Sequence, residues 1–337
     1  MTTLFEIPKT QKVVLYRETG GPEVLRYEED FPVPSISEDE ILVKNKFAGI
    51  NFIDSYFRSG LYPSALPNVL GREASGVVAA VGKNVKGFKP GDKVAYLSNN
   101  TFAQYTKYDP KSKIVKLDDG VTDEQLKLYA GSIVNGLTVL TFITEAYNVQ
   151  KGDYILIHAA AGGCGLIFTQ LVTERGAHVI ATASTHEKLQ LAKKFGAKFL
   201  INSKTDNIVE KVKEFTNGKG VIASFDGIGK DTVDISLDSL ARKGTFVSFG
   251  NASGAVPPLS IMKLSSKNLK VLRPMLYGYV TEPEEWEYYS KELLRLIDNG
   301  DLKINIFKTF PLKDYATATQ LLEDRKTSGK IVLEIPQ

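Results

Sequence analysis

One stretch of this chain limits its fold more than any other: residues 153–184, DYILIHAAAGGCGLIFTQLVTERGAHVIATAS. Tyr154, Ile155, Leu156 and Ile157 form a short β-rich apolar run of the kind buried on both faces of a parallel sheet. A turn follows at once, Ala159-Ala160-Ala161-Gly162-Gly163-Cys164-Gly165. The spacing of Leu166, Ile167, Gln170 and Leu171 predicts a helix over residues 166–175, which Gly176 stops. Residues 178–181 supply a second apolar strand. Strand, glycine turn, helix and strand in succession predict a right-handed βαβ unit.

The turn has a chemistry of its own. Where backbone must approach a pyrophosphate, any Cβ would hold the phosphate away from the amides, so glycine is required. The first N–H groups of the following helix, unpaired by backbone, then donate to the phosphate oxygens. Ala159-x-x-Gly162-x-x-Gly165 is an alanine-for-glycine form of the dinucleotide fingerprint, and Ala160, Gly162, Gly163, Cys164 and Gly165 are the expected cofactor contacts. A glycine turn used purely as a tight connection is the alternative reading.

The end of the second strand distinguishes the nucleotides. A site for NAD places a carboxylate there to hold the ribose 2′-hydroxyl. This strand ends in Ala183 and Ser184, and Ser184 with Glu187 has the spacing of a capping box for a helix over residues 187–195. Glu187 is thereby occupied, which leaves Ser184 and the cation Lys188 where a 2′-phosphate would lie, so NADPH is favoured over NADH. The competing reading of Lys188 is a solvated first-turn lysine.

At 337 residues, two domains are expected. A net charge of +3 gives no argument for a dedicated nucleic-acid surface, and one cysteine excludes an internal disulfide and fits a reducing compartment. The opening residues lack the apolar core of a signal peptide, and no apolar run is long enough to span a bilayer. The expectation is a cytosolic protein, with a nuclear pool compatible with the same features.

Residues 12–16, 25–29, 41–48 and 77–81 read as strands, and Lys89-Pro90-Gly91-Asp92 leads into another at Val94. Residues 51–70, with several Tyr and Pro and little periodicity, are expected to be a loop. Strands separated by turns predict a β-barrel-like domain over residues 1–133. Residues 123–147 are helical with a break at Asn135-Gly136. Helices over 187–195, 208–215 and 232–240 then alternate with strands 199–201, 221–225 and 244–249, so residues 134–274 are expected to form a doubly wound parallel sheet. Two helices, 284–300 and 316–324, and a terminal strand, 330–334, assign residues 275–337 to the first domain. The fold class is α/β, with the nucleotide domain inserted into the other.

Gly71-x-Glu73-x-x-Gly76-x5-Gly82-x-x-Val85 resembles the GHExxGxxxxxGxxV signature of medium-chain alcohol dehydrogenases, with Arg72 in place of the zinc-ligating histidine. Gly49-Ile50-Asn51-Phe52-Ile53-Asp54-Ser55-Tyr56, Arg58-Ser59-Gly60-Leu61-Tyr62-Pro63, residues 158–165 and Arg273-Pro274-x-Leu276-x-Gly278-Tyr279 are similar to the zinc-free quinone oxidoreductase (zeta-crystallin) branch. The resemblance covers essentially the whole chain. It implies a GroES-like catalytic domain, a Rossmann-like NADPH domain, a homodimer, and NADPH-dependent reduction of quinones, ortho-quinones among them, by hydride or by one-electron transfer to the semiquinone. The residues agree on zinc: Cys164, His158, His178 and His186 are the only Cys and His in the chain, and none can assemble a site with the others. His158 is expected to pack at its strand end, and Cys164 to replace a small apolar residue.

By position in the family, Asn51, Tyr56 and Tyr62 face the acceptor, an amide and two phenols suited to orienting it or donating to its oxygen, while Asp54 fixes their loop. Packing at a domain edge is the other reading of the tyrosines. The resemblance also puts Thr138 beside the nicotinamide ribose, Phe249, Gly250 and Asn251 at the nicotinamide end, and Arg325 at the 2′-phosphate. Ser203 stands where the family commonly has a tyrosine near the adenosine phosphate. Two alternatives share the chain with quinone reduction: reduction of the double bond of 2-alkenals or enones, and NADPH-sensitive binding of AU-rich RNA. Lysines spread along the chain and the lack of any RNA module weigh against the last. For the dimer, residues 244–247 are the expected edge strand.

Overall fold

A computed structural model of the chain describes residues 2–3 and 6–337. It divides into two compact units, Met1–Val134 with Ile306–Gln337, and Asn135–Asn305.

The first unit is built on an eight-stranded, mostly antiparallel sheet. Its strands run in the order Ile306–Pro311, Lys330–Glu334, Ile41–Gly49, Glu73–Val81, Lys93–Leu97 and Ile114–Lys116, with Tyr105–Tyr108 also paired to Ile41–Gly49 and Thr2–Thr3 to Glu73–Val81. A smaller sheet joins Leu25–Pro32, Thr10–Tyr16 and Asn68–Val69. The C-terminal strand enters the large sheet beside the motif-bearing loop, with Val332 opposite Gly49 and Leu333 opposite Ala48. Val14, Tyr16, Val43, Val78, Tyr96, Phe102, Phe310 and Tyr315 close over one core. Each such side chain removed from water contributes about 1.5–3 kcal/mol.

Two expectations are corrected here. Residues 52–58 are not loop but a helix, Phe52–Arg58, begun by Asn51 and Asp54. A capping pair at i and i+3 marks this start, and the dense Tyr and Pro residues hid it. The helix break falls at Gly131 and Ser132, between Asp123–Ala130 and Ile133–Thr141, not at Asn135-Gly136. Gly136 sits inside its helix because Leu293 packs against it: a Cβ there would lie 2.4 Å from Leu293 Cδ1.

The second unit is a six-stranded sheet in the order Phe199–Asn202, His178–Ala183, Tyr154–Ile157, Val221–Asp226, Leu240–Ser248 and Lys270–Leu272, with every neighbouring pair parallel. Numbered along the chain this is 3-2-1-4-5-6, the doubly wound order, with its switch point between Tyr154–Ile157 and Val221–Asp226. Strand 240–248 is interior; the edge is Lys270–Leu272, too short and polar at its start to stand out in the sequence. Residues 275–305 belong to this unit and not to the first. The helix Pro283–Asp298 buries Trp286, Tyr289, Leu293 and Leu296, and the Tyr289 hydroxyl donates to Glu145 at 2.5 Å. An amphipathic stripe tells that a helix is half-buried and not which sheet covers it. No single helix among the described residues is long and apolar enough to cross a membrane.

The first unit's sheet leaves no space at Gly76, where an added Cβ would fall 2.1 Å from the Lys44 carbonyl oxygen and 2.9 Å from Asn45 Cα on the paired strand. Backbone cannot give way as a side chain can, so Gly76→Ala is expected to cost about 3 kcal/mol. Urea unfolding followed by circular dichroism tests this, and a wild-type midpoint would contradict it.

Candidate functional site

In the second unit, the strand Tyr154–Ile157 passes through His158 into a turn where Ala159 takes φ 49°. The helix begins at Gly163, three residues before the expected start, with Gly162 as its N-cap. Apolar spacing could not register a first turn made of Gly163, Cys164 and Gly165. Gly165 is glycine for packing, since a Cβ would lie 2.3 Å from the Ala159 oxygen. Gly162 is different: its Cβ would approach the Ala159 oxygen alone, at 3.2 Å, so the space in front of this helix end is open. No side chain caps the helix. An uncapped, glycine-fronted N-terminus at the switch point is a site fitted to a dinucleotide pyrophosphate.

The turn is held from behind by a buried polar chain. Ala160 N–H donates to the Thr182 oxygen at 2.9 Å. His158 Nε2 lies 3.0 Å from Ser236 Oγ, and Nδ1 lies 3.3 Å from Thr182 Oγ1. Ser236 donates to Asp226 Oδ2 at 2.8 Å, and Asp226 Oδ1 accepts from Ile228 N–H, Gly229 N–H and Thr232 Oγ1. With the Ser236 proton spent on Asp226, His158 donates from Nε2 and accepts at Nδ1, which is the neutral form. Burial pushes its pKa down in the same sense. The packing role read for His158 in the sequence thus has named partners, and Asp226 and Ser236 are additions that sequence reasoning missed. The Asp226-Gly227 strand end was their one visible signal.

At the end of the second strand the helix is His186–Lys194, and its cap is Thr185, whose hydroxyl accepts from Lys188 N–H at 3.3 Å. The expected Ser184–Glu187 box is therefore displaced by one residue, because strand pairing continues through Ala183 to Asn202. Ser184 is half-buried and released from capping; Ser203 is exposed, its N–H on the Ala183 oxygen at 2.9 Å. These two residues follow the carboxyl ends of neighbouring strands, with no carboxylate at the end of the second strand. Lys188 is half-buried, and Cys164 is partly exposed in the first turn. Phe249 packs its ring on Phe142 and Phe168, at 5.6 and 5.7 Å between centroids. Gly250 presses on Gly227, where a Cβ would meet the oxygen at 2.2 Å, and Arg273 braces the loop through Ser248 Oγ and the Gly250 oxygen. Asn251 and Thr138 are buried.

In the first unit, Asn51 and Asp54 belong to a buried polar cluster whose other members the sequence did not single out. Lys330 Nζ donates to Asn51 Oδ1 at 2.6 Å and to Glu73 Oε1 at 2.7 Å. Asn51 Nδ2 donates to the same Glu73 oxygen at 2.8 Å and to the Gly49 oxygen at 3.3 Å. Val134 N–H donates to Glu73 Oε2 at 2.7 Å. Both amide N–H groups of Asn51 are therefore spent inside the protein, and it has no donor to offer an acceptor. Glu73 carried a signal in the Gly71-x-Glu73 motif; Lys330, reached across the whole chain, carried none.

Tyr56 and Tyr62 lie edge to face, 5.4 Å between centroids, and Phe57 meets Tyr62 at 5.6 Å. Beside them is a pocket of about 400 Å³, lined by Phe57, Pro63, Ser64, Ala65, Pro67, Asn68, Arg72, Asn99 and Asn100. The Arg72 guanidinium lies 3.8 Å from the Phe57 ring centre and donates to Asn99. Among the described residues no three His, Cys, Asp or Glu converge as metal ligands. Arg325 lies exposed after the helix Tyr315–Glu323 with φ 59°.

Asp54 Oδ2 accepts from Asn51 N–H at 2.8 Å, while buried Oδ1 has no hydrogen-bond partner. Burial, opposed by that bond and by the charges of Arg72 and Lys330, pushes its pKa up to about 6. A carboxyl that titrates higher folded than unfolded stabilises the fold below about pH 4 and loses that contribution as pH rises through about 6. Asp54→Asn keeps the acceptor and removes the charge. Relative to wild type the variant is expected to gain roughly 2–3 kcal/mol between about pH 4 and pH 7. Chemical unfolding across that range measures the difference, and parallel curves would refute the assignment.

A family model described as the alcohol dehydrogenase GroES-like domain matches residues 37–132, and one described as zinc-binding dehydrogenase matches residues 163–296. A probable quinone oxidoreductase of Schizosaccharomyces pombe is 42% identical over 324 residues, covering 95% of this chain and 96% of the relative. A 2-haloacrylate reductase of a Burkholderia species is 36% identical over 326 residues, covering 94% and 97%. The crystal structure of Escherichia coli quinone oxidoreductase complexed with NADPH superposes with a TM-score of 0.90 at 41% identity, covering 96% of this chain and 99% of that one. A GroES-like unit, a parallel Rossmann-like sheet and these full-length likenesses leave one conclusion: the chain belongs to the quinone oxidoreductase family of the medium-chain dehydrogenase/reductase superfamily.

Proposed function

We propose that this protein is an NADPH-dependent quinone reductase that works without a metal ion. The observation that carries the cofactor half is the Gly162-fronted, uncapped helix at the switch point, followed by a second strand that ends in Ser184 with no carboxylate. The family relatives, named for quinones, supply the substrate half. NADPH, when bound, supplies the reducing equivalent. The protein's work is then to hold and orient, which suits an acceptor that is already electrophilic.

In this reading the turn from Ala160 to Gly165 receives the pyrophosphate, and Ser184, Lys188, Ser203 and Arg325 receive the 2′-phosphate end. Thr138, Phe249, Gly250 and Asn251 line the nicotinamide end. Tyr56 and Tyr62 stand against the acceptor, their phenols able to donate to the oxygen where charge develops. Asn51 and Asp54 act one step back, as positioning residues: Asn51 joins the loop to Lys330 and Glu73, and Asp54 fixes the first turn of the helix that carries Tyr56. A second reading, reduction of an electron-poor carbon–carbon double bond, is favoured by the likeness to the 2-haloacrylate reductase.

Purified protein is expected to oxidise NADPH in the presence of phenanthrenequinone and to favour it over NADH by about tenfold or more, the value of one charge-assisted contact. Ser184→Asp puts a carboxylate against the phosphate and is expected to erase that preference. Equal use of both cofactors by wild type would remove the phosphate-site argument. Faster turnover of an enal than of any quinone would select the second reading.

The same proposal includes a homodimer joined along the edge strand Lys270–Leu272. That edge has no sheet neighbour among the described residues, and large apolar side chains near it in sequence are exposed: Val271 at 38%, Ile261 at 77%, Met262 at 73% and Met275 at 66%. A bare parallel edge with apolar flanks is a surface that calls for a partner. Sedimentation is expected to give a dimer that Val271→Asp converts to monomer; a monomeric wild type would contradict this.

A further inference from the structure

Arg72 stands in the motif position where the zinc-dependent relatives keep a metal ligand, and its surroundings give it a different task. It is the one charged residue, among the described residues, on the wall of the pocket beside Tyr56 and Tyr62. The rest of that wall is apolar, as at Phe57 and Pro63, or neutral and polar, as at Ser64 and Asn99. No carboxylate pairs with the guanidinium among the described residues. Its Nη1 donates to an uncharged amide, that of Asn99, its Nε is buried without a hydrogen-bond partner, and its face rests on the Phe57 ring. Stacking on a ring holds a guanidinium in place without neutralising it. The nearby acid, Asp54, makes no ion pair with it: Asp54 Oδ2 is bonded to Asn51 N–H, and the two charges act on each other only at longer range. Among the described residues, the two buried cations of this unit differ in having a carboxylate each, Lys330 with Glu73 at 2.7 Å and Arg58 with Glu323 at 2.8 Å.

A cation held in place without an ion-pair partner, on the wall of a half-enclosed pocket large enough for an aromatic ring, is an anion-reading group. We propose that Arg72 recognises an anionic substituent on the acceptor, so that this pocket prefers quinones bearing a sulfonate or carboxylate over their neutral parents. The inference rests on the reading of the protein as a quinone reductase with Tyr56 and Tyr62 at the acceptor.

The test compares ortho-naphthoquinone with its sulfonate, using the full-length protein with NADPH. Wild type is expected to show a KM for the sulfonate about tenfold below that of the neutral quinone, the value of a hydrogen bond to a charged group. Arg72→Met keeps an apolar stem over Phe57 and removes the charge, and is expected to bring the ratio of the two KM values to about one. Arg72→Lys is expected to retain part of the preference, because it keeps the charge and loses the planar fork. Equal KM values in wild type, or a ratio that Arg72→Met leaves in place, would overturn the proposal. A calorimetric titration with naphthalenesulfonate, in the presence of NADP+, separates this from the parent reading. Binding that Arg72→Met weakens about tenfold upholds the anion site even where no quinone is reduced. Equal binding by both proteins refutes it whatever the turnover.

Discussion

The buried contact between Lys330 and Glu73 is the interaction on which the first unit depends. Two opposite charges, both almost wholly removed from water, are costly to bury and persist only where every remaining lone pair and proton is satisfied. Here Asn51 accepts from Lys330 and donates to Glu73, and Val134 N–H donates to the other Glu73 oxygen. The consequence is geometric. The C-terminal strand is tied to the motif strand, to the first turn of the helix that carries Tyr56, and to the start of the helix by which the chain leaves this unit. Removing one partner would leave the other charged and unpaired in the core, so the cluster tolerates exchange less than a pair of packed aliphatic residues would.

The second unit solves a related problem with neutral groups. Its nucleotide turn must stay open and uncapped in front, because the front is where a phosphate would be received. All of its support therefore comes from behind, through His158, Ser236, Thr182 and Asp226. Burial keeps the histidine neutral, and the aspartate spreads its charge over two backbone N–H groups and two hydroxyls. A braced back and an open front make a receptor that needs little rearrangement on binding.

These two clusters differ in how far the sequence announces them. The βαβ run was legible because strand, turn and helix lie side by side in the chain, and each has its own period or glycine signature. The same local logic found the alternation of helices and strands that follows it. It misjudged helix starts by one to three residues, at Gly163 and at His186, where glycines or a second hydroxyl competed for the boundary. It missed the helix Phe52–Arg58, whose seven residues are too few to show a period.

The sequence by itself determined the class of the protein: a parallel nucleotide-binding sheet inserted in a β-rich unit, with NADPH as the fitted cofactor and Arg72 where zinc-dependent relatives keep a ligand. Those conclusions rest on neighbours along the chain. Tertiary structure alone decided what lies across it. It paired Lys330 with Glu73 and Asn51, spent the Asn51 amide internally, moved residues 275–305 to the second unit, made Lys270–Leu272 the sheet edge, and left Arg72 as an unpaired cation on a pocket wall. The physical reason is that burial and pairing are properties of distant segments brought together. A lysine that begins a strand reads the same in sequence whether it ends in solvent or beside a carboxylate in the core.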